Sequence, residues 1–276
     1  MPSELVRANL SEQLAASLLN AILDKQFSPG SLLPSEAELA VRFRVSRPVI
    51  REAVRVLATR GLVRPEQGRG VVVLEPNGRV MLDHLVLSGV WRQVPIKGLW
   101  ETRQVLEVAI AGLAAERRTE ADLADMVSAL ASMRQSVELG AEENVLADVE
   151  FHRALRDGAH NDFLALVMEP IAQLFRIVLR AFVARGAGRV GAPRGPESAE
   201  EWPAWSYRSH VRLFERIQAG DAAGARDEVR DHIVASSWRW QAQLELTLDE
   251  LVDSWPLGGF DDGDTPTGPR GEVGNV

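Results

Sequence analysis

The sequence predicts a mainly α protein in two parts, an N-terminal winged helix-turn-helix followed by a C-terminal antiparallel helical bundle. Apolar residues recur at helical spacing over most of the 276 residues, and strand-like runs are few. One short β pattern, around residue 70, follows two closely spaced helical segments. Charge is also divided unevenly. The chain carries a formal net charge of -8, yet residues 42–70 hold eight arginines against only Glu52 and Glu66. A basic first module on an acidic remainder fits a small polyanion-binding unit fused to a part that need not touch the polyanion.

The composition bounds the chemistry. There is no cysteine, so disulfides and thiolate metal sites are excluded and any metal must be held by nitrogen and oxygen. The N-terminal residues lack the basic-then-apolar order of a signal peptide, and no run of about 18 apolar residues occurs. A soluble, cytoplasmic protein with no membrane contact is expected. The length accommodates a first domain at 1–76, a linker at 77–95, a helical domain at 96–250 and a disordered tail at 251–276.

Within the first part, Leu10, Leu14, Leu18, Ile22 and Leu23 place a helix over 10–25, which "FSPGSLLP" ends. Ser35 with Glu38 three positions on is the pattern of a capping box, opening a short helix that ends near Phe43. The turn "RVS" leads to Ser46 as the next N-cap, with Pro48 tolerated in the first turn and Ile50, Val54 and Leu57 as the apolar stripe. Arg47, Arg51 and Arg55 then share a different face, and Gly61 closes the helix. Strands at 62–64 and 71–74, joined by a glycine-containing loop, complete a wing whose tip reads Gly68, Arg69, Gly70.

These elements resemble the N-terminal domain of the GntR family of bacterial transcription regulators. The likeness lies in "LPSE", the "VSR" ahead of the recognition helix, the "REA" within it, the "GLV" after it and the GxG of the wing, all in order over residues 33–73. The resemblance implies a double-stranded DNA partner and a DNA-binding set of Ser35, Ser46, Arg47, Arg51, Gly68, Arg69 and Gly70. Arg47 and Arg51 would read guanines in the major groove, and the wing would reach the minor groove. Arg55 is expected to meet phosphate or solvent. Two departures stand out: many members have Arg where this chain has Ala37, and Gly where it has Arg44.

The second part reads as helices near 97–117, 119–139, 142–158, 161–184, 203–219 and 221–248. Among only five histidines, His152 lies four residues after Asp148, on one helix face. His210 and His232 flank the turn "AGDAAG" almost symmetrically, each about 15 Å from it, so an antiparallel hairpin brings them level. One carboxylate and three imidazoles form a plausible divalent transition-metal site, favouring zinc, with nickel, manganese or iron as alternatives. The segment 185–203, rich in Gly and Pro, is expected to be a loop, and His84 and His160 are given no role. Trp91, Trp100, Trp238 and Trp240 are placed either in the core or at a dimer surface.

"ETRQVLE", "ADVEFHRALRDGAHNDFL" and "SHVRLFERIQAGDAAGARDEVRDHI" resemble the C-terminal helical (FCD) domain of the FadR-type subgroup of the same family. The resemblance implies metal ligation by Asp148, His152, His210 and His232, and a place for Arg103 beside a ligand carboxylate. The expectation is a non-enzymatic, homodimeric repressor or activator whose metal site takes a small carboxylate effector. The alternatives are a constitutive DNA binder with a structural metal, or a metalloenzyme fused to a DNA-binding domain.

Overall fold

A computed structural model describes residues 2–75, 78–139, 141–184 and 201–251. Residues 185–200 of the expected loop and the expected tail from 252 onward lie outside the described residues.

The first part is built as the sequence implies. α1 (Pro2–Leu23) packs on α3 (Arg47–Thr59), with α2 (Glu36–Phe43) against the other side of α3. Leu14, Leu18 and Ile22 join Leu39, Ile50, Val54 and Leu57 in one core, while Leu10 and Leu23, expected on the same stripe, are exposed. The wing is an antiparallel pair, β1 (Val63–Glu66) and β2 (Gly70–Val73), with Val63 opposite Val73 and Glu66 opposite Gly70. The segment before α2 adds to it: Leu33 N–H donates to the Val71 carbonyl and Val73 N–H to that of Ser31. Val63 and Val73 turn inward and tie the wing to the helical core.

The expected caps divide. Ser35 and Glu38 form the full capping box, whereas Ser46 occupies the N-cap position of α3 without a side-chain hydrogen bond. Pro48 in the first turn fixes the backbone there instead.

The stretch 77–95, expected as a linker, contains α4 (Arg79–Trp91), whose Leu82 and Val86 belong to the core of the second part. Its polar-looking flanks hid two buried residues one turn apart. α4 packs against α8 (Asp162–Ala184) and the terminal turn α12 (Leu248–Leu251).

The bundle is organised around α5 (Ile96–Arg117), which packs most extensively on α10 (Ala222–Arg239). Ile110, Ala111, Ala114 and Ala115 on α5 meet Ala225, Val229 and Ile233, and such small side chains permit a close helix approach. α6 (Glu120–Leu139) lies on α7 (Ala141–Asp157) and α9 (Trp202–Ala219); α7 also packs on α8, and α9 and α10 form a hairpin closed by Gly220 and capped by Asp221. The helix expected over 221–248 instead stops at Arg239. Trp240 leaves helical geometry and is buried, and α11 (Gln241–Leu244) follows. The returning chain is pinned where Ile96 N–H donates to the Leu246 carbonyl and Leu248 N–H to that of Val94. Neither glycine nor proline marks this break. Apolar periodicity continues through Leu244, Leu248 and Leu251, which is why the sequence reads as unbroken.

Arg44 ends α2 in the left-handed region, at φ 54 and ψ 43, where a Cβ is strained and glycine is not. Its side chain is exposed. Arg44→Gly is therefore expected to raise the free energy of unfolding by about 1 kcal/mol, measured by thermal or chemical denaturation; an unchanged or lower stability would show that the side chain contributes contacts that offset the strain.

Candidate metal centre and nucleic-acid interface

The predicted DNA-reading residues fall at the start of α2, on the first turns of α3 and at the wing turn. Arg47, at the first turn of α3, is exposed and has no ion-pair partner among the described residues. Arg51, two-thirds exposed, donates through Nε to both carboxylate oxygens of Glu36, at 2.8 and 3.0 Å. That contact ties α3 to the first turn of α2, and no spacing signals that a capping-box neighbour does this. Arg55 closes on Glu52 at 2.6 and 2.9 Å. At the wing, Arg69 and Arg64 both reach Glu66, whose carboxyl their hydrogen bonds hold below its ordinary value. Gly68 and Gly70 have φ of 76 and 116, so this turn needs glycine for its backbone. Ser35 is committed to its cap, and Ser46 and Ala37 are exposed.

In the second part the four predicted metal ligands converge from three helices. α7 contributes Asp148 and His152, α9 contributes His210 and α10 contributes His232, and one donor atom from each lies within 4.8 Å of all the others. His210 Nε2 is 3.2 Å from His152 Nε2 and 3.3 Å from Asp148 Oδ1; His232 Nε2 is 3.7 Å from the same carboxylate oxygen. The α9–α10 hairpin brings the two histidines level, with ring centroids 4.3 Å apart.

Their partners fix which nitrogens face inward. His210 Nδ1 lies 2.8 Å from the Ser206 carbonyl, an acceptor only, so Nδ1 carries the proton. His152 Nδ1 lies 2.7 Å from a Glu107 carboxylate oxygen, off the line of a straight hydrogen bond, and is assigned its proton on the same ground. Two Nε2 lone pairs then face each other across 3.2 Å beside a carboxylate. They repel, and a cation between them removes the repulsion. Tetrahedral ligands about 2.0–2.1 Å from zinc stand about 3.3 Å from one another, so the donor set fits. In such a site Glu107 would stand as the carboxylate behind His152.

Burial sets the charge states. His210 and His232 are dry, and burial, with the neighbouring imidazoles, pushes His210 down to about 4 and His232 well below its ordinary value. Asp148 opposes this for His210 and does not outweigh burial. Burial would raise the Glu107 carboxyl, but Arg103 and His152 overcome it and hold it at about 2. Arg103 is itself 3% exposed, binds Glu107 Oε1 through Nε at 2.6 Å, sits 3.6 Å from Asp148 and lies over the Phe175 ring at 4.0 Å. Arg103, Glu107 and His152 also line a cavity of about 190 Å³ between α5, α7 and α8.

Of the remaining histidines, His160 contacts Asp122 at 2.7 Å at a helix end and His84 is exposed on α4. The tryptophans divide: Trp100 and Trp240 are core, Trp238 is exposed, and Trp91 is 88% exposed. Trp205, passed over in the sequence, stacks on His232 with an interplanar angle of 11°.

Fold and site together define a winged-helix DNA-binding transcription regulator with a C-terminal helical domain. The family described as "Bacterial regulatory proteins, gntR family" matches residues 10–73, and the FCD domain matches residues 99–235. The chain is 32% identical over 212 residues to the HTH-type transcriptional regulator LutR of Bacillus subtilis (strain 168), covering 77% of this chain and 92% of that one. It is 33% identical over 238 residues to the galactonate operon transcriptional repressor of Escherichia coli (strain K12), covering 84% and 96%. A solved structure of Streptococcus agalactiae GntR superposes with a TM-score of 0.65 at 27% identity, covering 82% of this chain and 98% of that one. The chain belongs to the GntR family and is a regulator of transcription, not an enzyme. Among the described residues no helix is long and apolar enough to cross a membrane.

The histidine shifts fix the sign of a pH effect. His210 and His232 are lowered on folding, so the unfolded chain binds more protons below its ordinary histidine value, and stability is present above that value and lost as pH falls toward 4. Chelator-treated protein is therefore expected to melt several degrees lower at pH 5 than at pH 7, and His210→Gln should flatten the difference; equal midpoints in the wild type would contradict the neutral buried imidazoles.

Proposed function

We propose that the protein is a homodimeric, metabolite-responsive repressor that binds a near-palindromic operator and is controlled by a small carboxylate acting at a divalent metal ion, zinc in the first instance. The convergence of Asp148, His152, His210 and His232, with both assignable tautomers turned lone pair inward, carries the reading. Such an ion would offer open coordination positions to a carboxylate. The protein's own groups do the rest: Glu107 and Ser206 hold two imidazoles in orientation, Arg103 neutralises Glu107 and braces Asp148 beside the effector, and burial keeps His210 and His232 unprotonated at neutral pH.

The reading head acts through Arg47 and Arg51, with Glu36 setting the orientation of Arg51, and through a wing whose glycines keep its backbone open to a groove around Arg69. A bidentate arginine–guanine contact discriminates bases by roughly 1–3 kcal/mol. Two heads on adjacent half-sites require a dimer, and the exposed Leu87 and Trp91 of α4 support a protein contact on that helix. α4 also supports a link between the two functions: it packs on α8 in the bundle, while its Val80 abuts Gly61 at the end of the reading helix. Coupling of about 1–3 kcal/mol between effector and DNA is ordinary for such a link. The galactonate-named relative supports a hydroxy-acid effector, and regulation of transcription supports a cytoplasmic location.

Elemental mass spectrometry on tag-free protein, joined to a thermal-shift screen of small carboxylic acids before and after chelation, tests the sensor. Near-stoichiometric metal and an acid that stabilises only the loaded form are expected; stoichiometric metal with no acid response would leave the ion structural. For the head, Arg47→Ala is expected to lose operator preference while retaining salt-dependent binding to unrelated DNA, and unaltered selectivity in a binding assay would overturn the assignment.

A further inference from the structure

Several arginines of the bundle are buried or partly buried, and among the described residues their charges are not equally settled. Arg103 is bound by Glu107 and lies near Asp148, and Arg156 pairs with Glu169 at 2.9 Å. Arg180 also has a partner. Arg239, the last residue of α10, is 7% exposed, and no carboxylate among the described residues pairs with it. Its Nε makes no hydrogen bond, and burial lowers its pKa to about 10. Burying an unpaired cation opposes folding, and an anion that meets it removes that cost.

Its surroundings hold the guanidinium without neutralising it. The Trp202 and Trp240 rings each lie 4.8 Å from its central carbon. Ring faces attract the cation while its in-plane N–H groups remain free to donate. Trp202 packs on Trp205 at 4.8 Å, and Trp205 stacks on His232 at 5.9 Å, so two indoles connect Arg239 to a predicted metal ligand.

The same arginine shares a cavity with another predicted ligand. A space of about 30 Å³ is lined by Arg239, Asp148, Asn144, Ser236, Trp202 and Trp240, among others. That volume suits a carboxylate group and not a long chain. Without an ion, the Asp148 charge in this space opposes an incoming anion. With a divalent ion the balance reverses: Arg103 answers Glu107, the ion would answer Asp148, and the ion's remaining charge together with that of Arg239 is then in excess.

We infer that Arg239 is the residue that receives the carboxylate of the effector, clamping the acid between its guanidinium and the ion at Asp148. Arg239 lies four residues past the end of the FCD match, on the same helix as His232. The inference rests on the metal-and-carboxylate reading above and adds the group that selects for negative charge. Arg103 then serves as a positioning residue, since its own charge is already engaged.

The test uses full-length protein loaded with zinc, titrated calorimetrically with glycolate and D-galactonate and with glycolamide as the uncharged control. Wild type is expected to bind an acid but not glycolamide. Arg239→Met should keep zinc stoichiometry and weaken acid binding by at least about tenfold, with Arg239→Lys in between. Without acid, Arg239→Met should melt at or above the wild-type midpoint, because an unpaired buried charge has been removed. Equal acid affinity in wild type and Arg239→Met overturns the assignment of Arg239 alone, as does a midpoint lowered by several degrees in both variants, which would make the arginine a structural partner of the two tryptophans. Absence of acid binding by the loaded wild type overturns the carboxylate reading itself, and this inference with it.

Discussion

A helical bundle that encloses carboxylates, guanidinium groups and three imidazoles has to settle their charges without water. Most of the second domain's architecture follows from that constraint. Glu107 can remain ionised only because Arg103 lies one turn before it on α5 and His152 faces it from α7. His210 and His232 can remain neutral only because α9 and α10 exclude water around them. What these pairings leave unsettled is a set of inward lone pairs around Asp148, which asks for a cation, and one guanidinium at Arg239, which asks for an anion. The two demands are complementary, and an ion with an acid bound to it would meet both.

The aromatic side chains give this electrostatic centre its walls. From Arg103 the contacts run through Phe175, Trp100, Phe182 and Trp240 to Arg239, and on through Trp202 and Trp205 to His232. Apolar rings beside charged groups lower the local dielectric, strengthening every attraction inside and raising the cost of any charge left alone. The first domain obeys the opposite economy. Its arginines are exposed and its ion pairs with Glu36, Glu52 and Glu66 are solvated, so phosphate or a base edge can displace them.

Much of this was legible in the sequence because the relevant signals are local. The capping box at Ser35, the arginine spacing on α3 and the near-symmetry of His210 and His232 about Gly220 each depend on helical periodicity and a turn residue. What was not legible depends on tertiary contact. α4 reads as a linker because only Leu82 and Val86 commit it to the core. The break at Trp240 carries no glycine or proline, and its cause is the return of the chain onto the residues just before α5. Glu107 was visible as a helical neighbour of Arg103, but its approach to His152 from another helix was not. Trp240 follows Arg239 directly, but Trp202 reaches it from another helix, so no spacing announces the cluster. Glu36 was hidden within a capping motif that explained its neighbours without needing it.

The central claim is that three imidazoles and one carboxylate oxygen share a single ion. X-ray absorption spectroscopy at the zinc edge of the loaded, acid-free protein tests it most directly. The expected first shell is nitrogen and oxygen at about 2.0–2.1 Å, with outer-shell scattering from three imidazoles that falls to two in His232→Ala. A spectrum with one imidazole or none, or one that His232→Ala leaves unchanged, would contradict the site and the sensing mechanism built on it.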